Sequence, residues 1–270
     1  MNPILLAVLI VAGLALAAGL ILAVASVLLA VPRDEKAEAI RALLPGANCG
    51  ACGYSGCDGY AAAMASGEAK PGLCSPGGEE VASATAALVG GEVSMEKTAA
   101  RVRCGGCDEI AGRRADYHGI PSCAAATQFF GGDKLCAYGC LGYGDCAAVC
   151  EYGAISVENG LAVIDPDQCR ACGLCVGACP KSLIALLPAA QPAVVRCSSH
   201  AKGAEVRKAC SKGCIGCMKC TKVCEYDAIH VTGFLAEIDG SKCVGCGACV
   251  SSCPVGCIQM GSTEIADQKV

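Results

Sequence analysis

The sequence has no tryptophan, and aromatic residues make up only 4% of its 270 positions. That scarcity argues against one large core built on aromatic side chains. Nor is there a basic excess: 21 Lys and Arg stand against 25 Asp and Glu, a formal charge of −4. Nucleic-acid binding needs a basic footprint and finds none here. No G-x-G-x-x-G follows a strand pattern, and neither a P-loop nor a nucleophile elbow occurs. The chain therefore offers no site for nicotinamide, flavin or nucleotide. His118, His200 and His230 lie apart from the cysteine runs and read as surface or hydrogen-bonded side chains.

Charge is also missing from Ile4 to Val31, a run of 28 residues in which Ser26 is the only polar side chain. As a helix it would measure roughly 42 Å at 1.5 Å per residue. A hydrocarbon core about 30 Å thick is within its reach. A cleaved signal peptide has a basic start and an apolar stretch of only about 7–15 residues. This run opens Met1-Asn2-Pro3 and is far longer, so a retained membrane helix is expected. Arg33, Lys36 and Arg41 follow it, and basic residues mark the cytoplasmic side. Asp34, Glu35 and Glu38 carry little weight in that rule. The expectation is a single-pass protein of the cell (inner) membrane with its remainder in the cytoplasm.

What is abundant is cysteine, 26 in all, with 35 glycines. Most cysteines fall in tight runs that crowd thiols to one point, as a metal centre requires and disulfide partners do not. Thiolate ligands also need a reducing compartment, in agreement with the cytoplasmic placement. Small modules folded around a metal need no large core, because metal binding supplies folding free energy. The first set is Cys49-x2-Cys52-x4-Cys57 followed by Cys74. Its glycines let the backbone curl around a cluster. Asp58–Ser66 reads as a short helix separating the fourth ligand from the first three. Zinc modules pair two separated knuckles, whereas this set is three-plus-one, so a [4Fe–4S] cluster is expected.

The next two regions are copies of one another at an offset of 74 residues. Cys136, Cys140, Cys146 and Cys150 match Cys210, Cys214, Cys220 and Cys224; Cys169, Cys172, Cys175 and Cys179 match Cys243, Cys246, Cys249 and Cys253. The segments EYGAISVENGLAVIDPDQ and EYDAIHVTGFLAEIDGSK, each 18 residues long and identical at nine positions, join the halves of each copy. Both alternate like two short strands around a turn, the signal of a β-hairpin.

Each copy is similar to a two-cluster bacterial ferredoxin. Cys214-x2-Cys217-x2-Cys220-x3-Cys224 and Cys243-x2-Cys246-x2-Cys249-x3-Cys253-Pro254 show its spacing, in which the fourth cysteine of each run ligates the other cluster. The resemblance implies one cluster on Cys214, Cys217, Cys220 and Cys253, and another on Cys243, Cys246, Cys249 and Cys224. In the first copy Tyr143 stands where the second has Cys217, so a ligand is missing. Cys136, four residues before Cys140, is expected to replace it beside Cys140, Cys146 and Cys179. Cys169, Cys172, Cys175 and Cys150 complete that copy. Glu151 and Glu225 replace the proline usual after the first run, a change of packing or potential. Cys104, Cys107, Cys123, Cys197, Cys210 and Cys257 are left over and read as buried structural thiols. Cys104 and Cys197 each end a VRC triplet, which marks the edge of the repeated unit.

The membrane helix, the CGACGYSGC…C module and the duplicated units together resemble the B-subunit family of the Rnf complex, in its longer form. The fold class this implies is α+β: an anchor (1–32), a single-cluster module (33–90), a connecting segment (91–132), a first two-cluster ferredoxin unit (133–188), a linker (189–209) and a second unit with its tail (210–270). The family implies an electron-relay subunit of an ion-translocating ferredoxin:NAD+ oxidoreductase, with about five [4Fe–4S] clusters and no catalytic site of its own. Soluble ferredoxin is the implied donor, and other membrane and redox subunits are the implied partners. The competing reading is a membrane-tethered reductase serving a redox sensor or metalloenzyme.

Overall fold

A computed structural model describes residues 3–28, 34–91, 93, 95 and 97–261. The last part of the expected apolar run, Arg33, three positions of the segment 91–132, and the tail from 262 onward lie outside the described residues. Helix α1 (Pro3–Leu28) is long and apolar enough to cross a membrane. Its large side chains from Leu9 to Val24 are 50–76% exposed, an apolar surface that no other part of the described chain covers. Such a surface requires a lipid or protein partner.

The next three helices form a small body. Helix α2 (Glu35–Leu43) starts at Asp34, whose carboxylate accepts the Lys36 N–H at 2.9 Å. It lies against α3 (Cys57–Ala65), the helix expected after the first cysteines, and near α4 (Gly78–Val89). Ile40 from α2 and Leu44 just after it pack on Tyr60 and Met64 from α3. An Arg41–Asp58 ion pair at 2.6 Å ties the two helices at their edge.

The first repeated unit comprises β1 (Thr98–Val102), α5 (Cys123–Thr127), α6 (Asp145–Ala148), β2 (Ile155–Glu158), β3 (Leu161–Ile164), α7 (Leu174–Ala178) and β4 (Ile184–Pro188). The second comprises β5 (Ala193–Val195), α8 (Gly203–Ala209), α9 (Lys219–Val223), β6 (Ile229–Thr232), β7 (Leu235–Ile238), α10 (Ala248–Ser252) and β8 (Ile258–Met260). The central hairpins match in register: Ile155 faces Ile164, and Ile229 faces Ile238. Their turns, Asn159-Gly160 and Gly233-Phe234, hold positive φ at both positions, as a two-residue hairpin turn of the primed type demands. Gly142 and its counterpart Gly216 press on these turns. A Cβ on Gly142 would strike the Gly160 carbonyl, and one on Gly216 would stand 3.1 Å from Phe234 Cα. The first cysteine run of each unit is thereby held against its hairpin.

The end strands alter the boundaries read from sequence. β1 pairs antiparallel with β4, and β5 with β8. The segments 91–132 and 189–209, expected as connector and linker, thus each supply a leading strand to the unit that follows. The cores are equivalent: Ile155, Leu161 and Ile184 in the first, Ile229, Leu235 and Ile258 in the second, each packed among cysteines. The units differ in the length of one stretch. Cys136 follows Cys104 by 32 positions, whereas Cys210 follows Cys197 by only 13. The longer stretch carries α5 and touches the second unit, where the Gly112 N–H donates to the Ala209 carbonyl at 3.0 Å and the Ser211 N–H to the Ile110 carbonyl at 3.3 Å.

Pairing of β1 with β4 makes a direct prediction. In hydrogen exchange of the intact protein, the amides of Ala99, Arg101 and Arg103, which face β4 in this register, should be protected alongside those of β2 and β3. Exchange of these three as fast as in an unpaired segment would contradict the pairing.

Candidate metal centres

Local geometry explains how the first four cysteines meet. The Asn48 side-chain oxygen accepts the Cys57 N–H at 2.8 Å, fixing the start of α3. Tyr60, 1% exposed, donates its hydroxyl to the Lys70 carbonyl at 2.9 Å and accepts the Leu73 N–H at 3.1 Å. It therefore clamps the loop that presents Cys74. Burial, partly offset by the Gly77 N–H, and the neighbouring Cys57, Cys49 and Cys52 sulfurs raise the Cys74 thiol. Four thiols that feel one another and need a proton removed suit a cationic metal centre, which deprotonates its ligands outright.

In both repeated units the fourth cysteine of a run turns to the other run. Cys150 joins Cys169, Cys172 and Cys175; burial and then these sulfurs push Cys175 up to about 11. The Ala100 and Ala171 N–H groups donate to Cys169 Sγ, both at 3.4 Å, so β1 itself supports this group. In the second unit Cys224, Cys243, Cys246 and Cys249 line one pocket. The Ala228 N–H donates to Cys224 Sγ at 3.4 Å. Cys214, Cys217 and Cys220 gather likewise, with Cys220 pushed up to about 11 by burial first and by Cys214 and Cys217 after it. Cys253 completes that group: its Sγ lies 3.6 Å from Cys257, which also hydrogen-bonds Cys214. That bond lowers Cys214 and raises Cys257.

The remaining group differs from the sequence reading. Cys140, Cys146 and Cys179 share an apolar pocket with Cys123, walled by Val102, Leu141 and Ile184. Cys136, expected there, is not among its lining residues. The Gly139 N–H returns to the Cys136 carbonyl at 3.1 Å, a turn that carries Cys136 to a different cavity beside Cys104 and Cys210. Cys123 takes its place because Asp145 holds the start of α5. Its carboxylate accepts the Cys123 N–H, the Ala124 N–H and the Ser122 hydroxyl, each at 2.9 Å. Burial opposes ionisation of Asp145, but the bonds from Ala124, Cys123 and Ser122 outweigh it and keep the carboxyl below its usual range. The second unit has Lys219 at the matching position and no need of the device. Tyr143, in the slot of the missing ligand, donates instead to Asp133 at 3.0 Å and packs edge-on against Tyr117.

Metal spacing can be judged from the same geometry. A single zinc ion holds thiolates at about 2.3 Å and so draws its ligands into mutual contact. Among the described residues no group of three or more Cys, His, Asp or Glu side chains is gathered around a single-ion site.

An Fe-S cluster family model matches residues 44–76, a 4Fe-4S binding domain matches 162–184, and a 4Fe-4S dicluster domain matches 208–260. The chain is 45% identical over 260 residues to the B subunit of the Na(+)-translocating ferredoxin:NAD(+) oxidoreductase complex of Acetobacterium woodii, covering 96% of this chain and 78% of that protein. To the B subunit of an ion-translocating oxidoreductase complex from Methanosarcina acetivorans it is 41% identical, over 93% of this chain and 96% of the relative. To the B subunit of the proton-translocating ferredoxin:NAD(+) oxidoreductase complex of Clostridium ljungdahlii it is 40% identical, over 99% and 97%. The chain belongs to the B-subunit family of ion-translocating oxidoreductase complexes. A member of this family from Cereibacter sphaeroides aligns over only 28% of the chain, at 49% identity. Iron–sulfur domains and an apolar helix suited to a membrane are thus the features on which the family assignment and the structure agree.

The Asp145 device is open to test. Asp145→Ala removes three bonds from the start of α5, a cap worth about 1–2 kcal/mol. Exchange of amides 123–125 in the intact protein should quicken roughly 5–30-fold, while that of β6 and β7 stays unchanged. Unaltered exchange at α5 would contradict the assigned role.

Proposed function

We propose that this chain is the electron-entry relay of a membrane complex, accepting electrons from reduced soluble ferredoxin and passing them to the complex's other redox subunits on the way to NAD+. What supports this reading is the gathering of cysteines into groups, which in the repeated units draw on separate runs, together with the iron–sulfur domains matched in the chain. The relatives are named as subunits of ferredoxin:NAD+ oxidoreductases, and the chain has the electron-transfer chemistry such a subunit needs.

The residues fit [4Fe–4S] clusters in five places: Cys49, Cys52, Cys57 and Cys74; Cys123, Cys140, Cys146 and Cys179; Cys150, Cys169, Cys172 and Cys175; Cys214, Cys217, Cys220 and Cys253; and Cys224, Cys243, Cys246 and Cys249. Each of the last four pairs within a two-cluster ferredoxin-like unit, the units being 98–188 and 193–260. When bound, such clusters supply one-electron redox chemistry. The protein's own part is to hold the thiolates, donate N–H groups to the sulfurs and exclude water, which together set the potential. Cys172 is raised by burial first and then by the neighbouring sulfurs, Cys49 of the module among them. Tyr152 feels Cys172, Cys49 and Cys74 in turn. The single-cluster module therefore borders the first unit, and the groups form a chain rather than isolated islands.

Helix α1 bears no charged or metal-binding side chain, so its contribution is tethering, with the cysteine-rich part in the cytoplasm. Tethering raises the local concentration of the relay beside its partners. A form beginning at Asp34 should be soluble, keep its iron and still be reduced by ferredoxin. Its electron delivery to the membrane partners should fall and recover only at high protein concentration. Reduction by NADH but not by ferredoxin would sink the reading. A narrower test addresses the ligands: Cys123→Ser should lose or convert one cluster, seen as a [3Fe–4S] signal or a loss of iron. Unchanged iron and spectra would return Cys123 to the structural thiols.

A further inference from the structure

Four of the cysteines without a place in the five groups meet in a cavity of about 350 Å³ between the two repeated units. Cys104 and Cys136 enter it from the first unit, and Cys197 and Cys210 from the second. They are equivalent pairs. Cys104 and Cys197 end the VRC triplets that follow β1 and β5, and Cys136 and Cys210 each stand four residues before the first cysteine of a run. The two units thus present the same two thiols to one another. We propose that these four cysteines bind a sixth [4Fe–4S] cluster that bridges the duplicated units; the proposal rests on the relay reading and extends it.

The local backbone is built to receive thiolates. Cys104 Sγ accepts the N–H groups of Gly106 and Cys140, both at 3.4 Å. Cys197 Sγ accepts the equivalent pair, Ser199 at 3.4 Å and Cys214 at 3.3 Å. N–H donors aimed at sulfur stabilise the charged form and are a standard part of the surroundings of a cluster. In each unit the donor, Cys140 or Cys214, is itself assigned to a cluster, so one peptide joins two neighbouring centres. Gly106 leaves room at the middle: a Cβ there would stand 3.5 Å from Cys210 Sγ and 3.7 Å from Cys104 Sγ. Sulfurs from different units therefore flank one point that is kept free of side chain.

Charge points the same way. A four-thiolate cluster is anionic, and an anion buried between domains needs cations close by. Arg196 is 5% exposed, lines the cavity and donates to the Cys104 carbonyl at 3.2 and 3.1 Å. Lys134, 1% exposed, donates to the Gly106 carbonyl at 3.0 Å and pairs with Asp108 at 3.3 Å. Both cations hold the backbone on which Cys104 and Gly106 sit, and Arg196 is the one that lines the cavity.

The test reads clusters per chain rather than activity. Native mass spectrometry of the anaerobically prepared full-length protein should show six [4Fe–4S] clusters, with about 24 iron and matching acid-labile sulfide, at four iron per cube. Cys136→Ser and Cys210→Ser should each lose about four iron, and the double variant should lose no more than either single one. Gly106→Val, which keeps every cysteine but fills the cavity, should lose the same four. Five clusters in the wild-type protein, or one zinc per chain that disappears with Cys210→Ser, would overturn the proposal. Five clusters alongside normal reduction by ferredoxin would reject the bridge while leaving the relay intact. Failure of reduction with six clusters present would do the reverse.

Discussion

Each compact region of the chain is too small to hold itself together by apolar burial alone, and at the centre of each stand cysteines drawn from runs far apart in sequence. Convergence of thiolates on a shared metal is the constraint on which the rest depends. It explains why the helices beside the ligands run to only four or five residues in the repeated units. It explains why tryptophan is dispensable and why the burial of cysteine thiols is tolerated. Left protonated, Cys140, Cys146 and Cys175 would be inert, since burial pushes them up to about 11, 12 and 11. Metal binding displaces those protons, so ligation strengthens as pH rises and weakens as it falls. Folding and loading are in that sense one event.

Duplication supplied two copies of a unit, and the two have since diverged in a way the geometry makes intelligible. The first copy carries Tyr143 in a ligand position, and its hydroxyl now serves Asp133 in the hydrogen-bonded support of the inserted stretch. That stretch returns a cysteine, Cys123, to the pocket that Tyr143 vacated. Asp145 links loss and replacement, because it sits beside Cys146 in the run while capping the helix that brings Cys123. The same stretch meets the second unit through Gly112 and Ile110. One insertion therefore bears on both ligation and the docking of the units.

Much of this was legible in the residues. The helix after Cys57, the two hairpins and the repeat offset follow from local spacing and alternation, which neighbouring residues settle among themselves. The crossing of Cys150 and Cys224 to the opposite run follows from resemblance to ferredoxins. The leading strands were not legible: β5 is three residues long, and β1 pairs with a strand more than eighty positions away. Cys123 escaped for a similar reason. A cysteine brought to a pocket by an insertion has no spacing to betray it, and Cys136 lies only four residues before Cys140. Two signals were nonetheless present: the unequal distances from Cys104 and Cys197 to their partners, and Asp145 against Lys219 in runs of equal length.

The central claim is that the metal groups form one continuous relay. Potentiometric EPR of the intact protein tests it most directly. As reduction proceeds from partial to complete, signals from neighbouring reduced clusters should broaden and split through magnetic coupling. A fully reduced spectrum equal to the simple sum of isolated, uncoupled clusters would contradict the account.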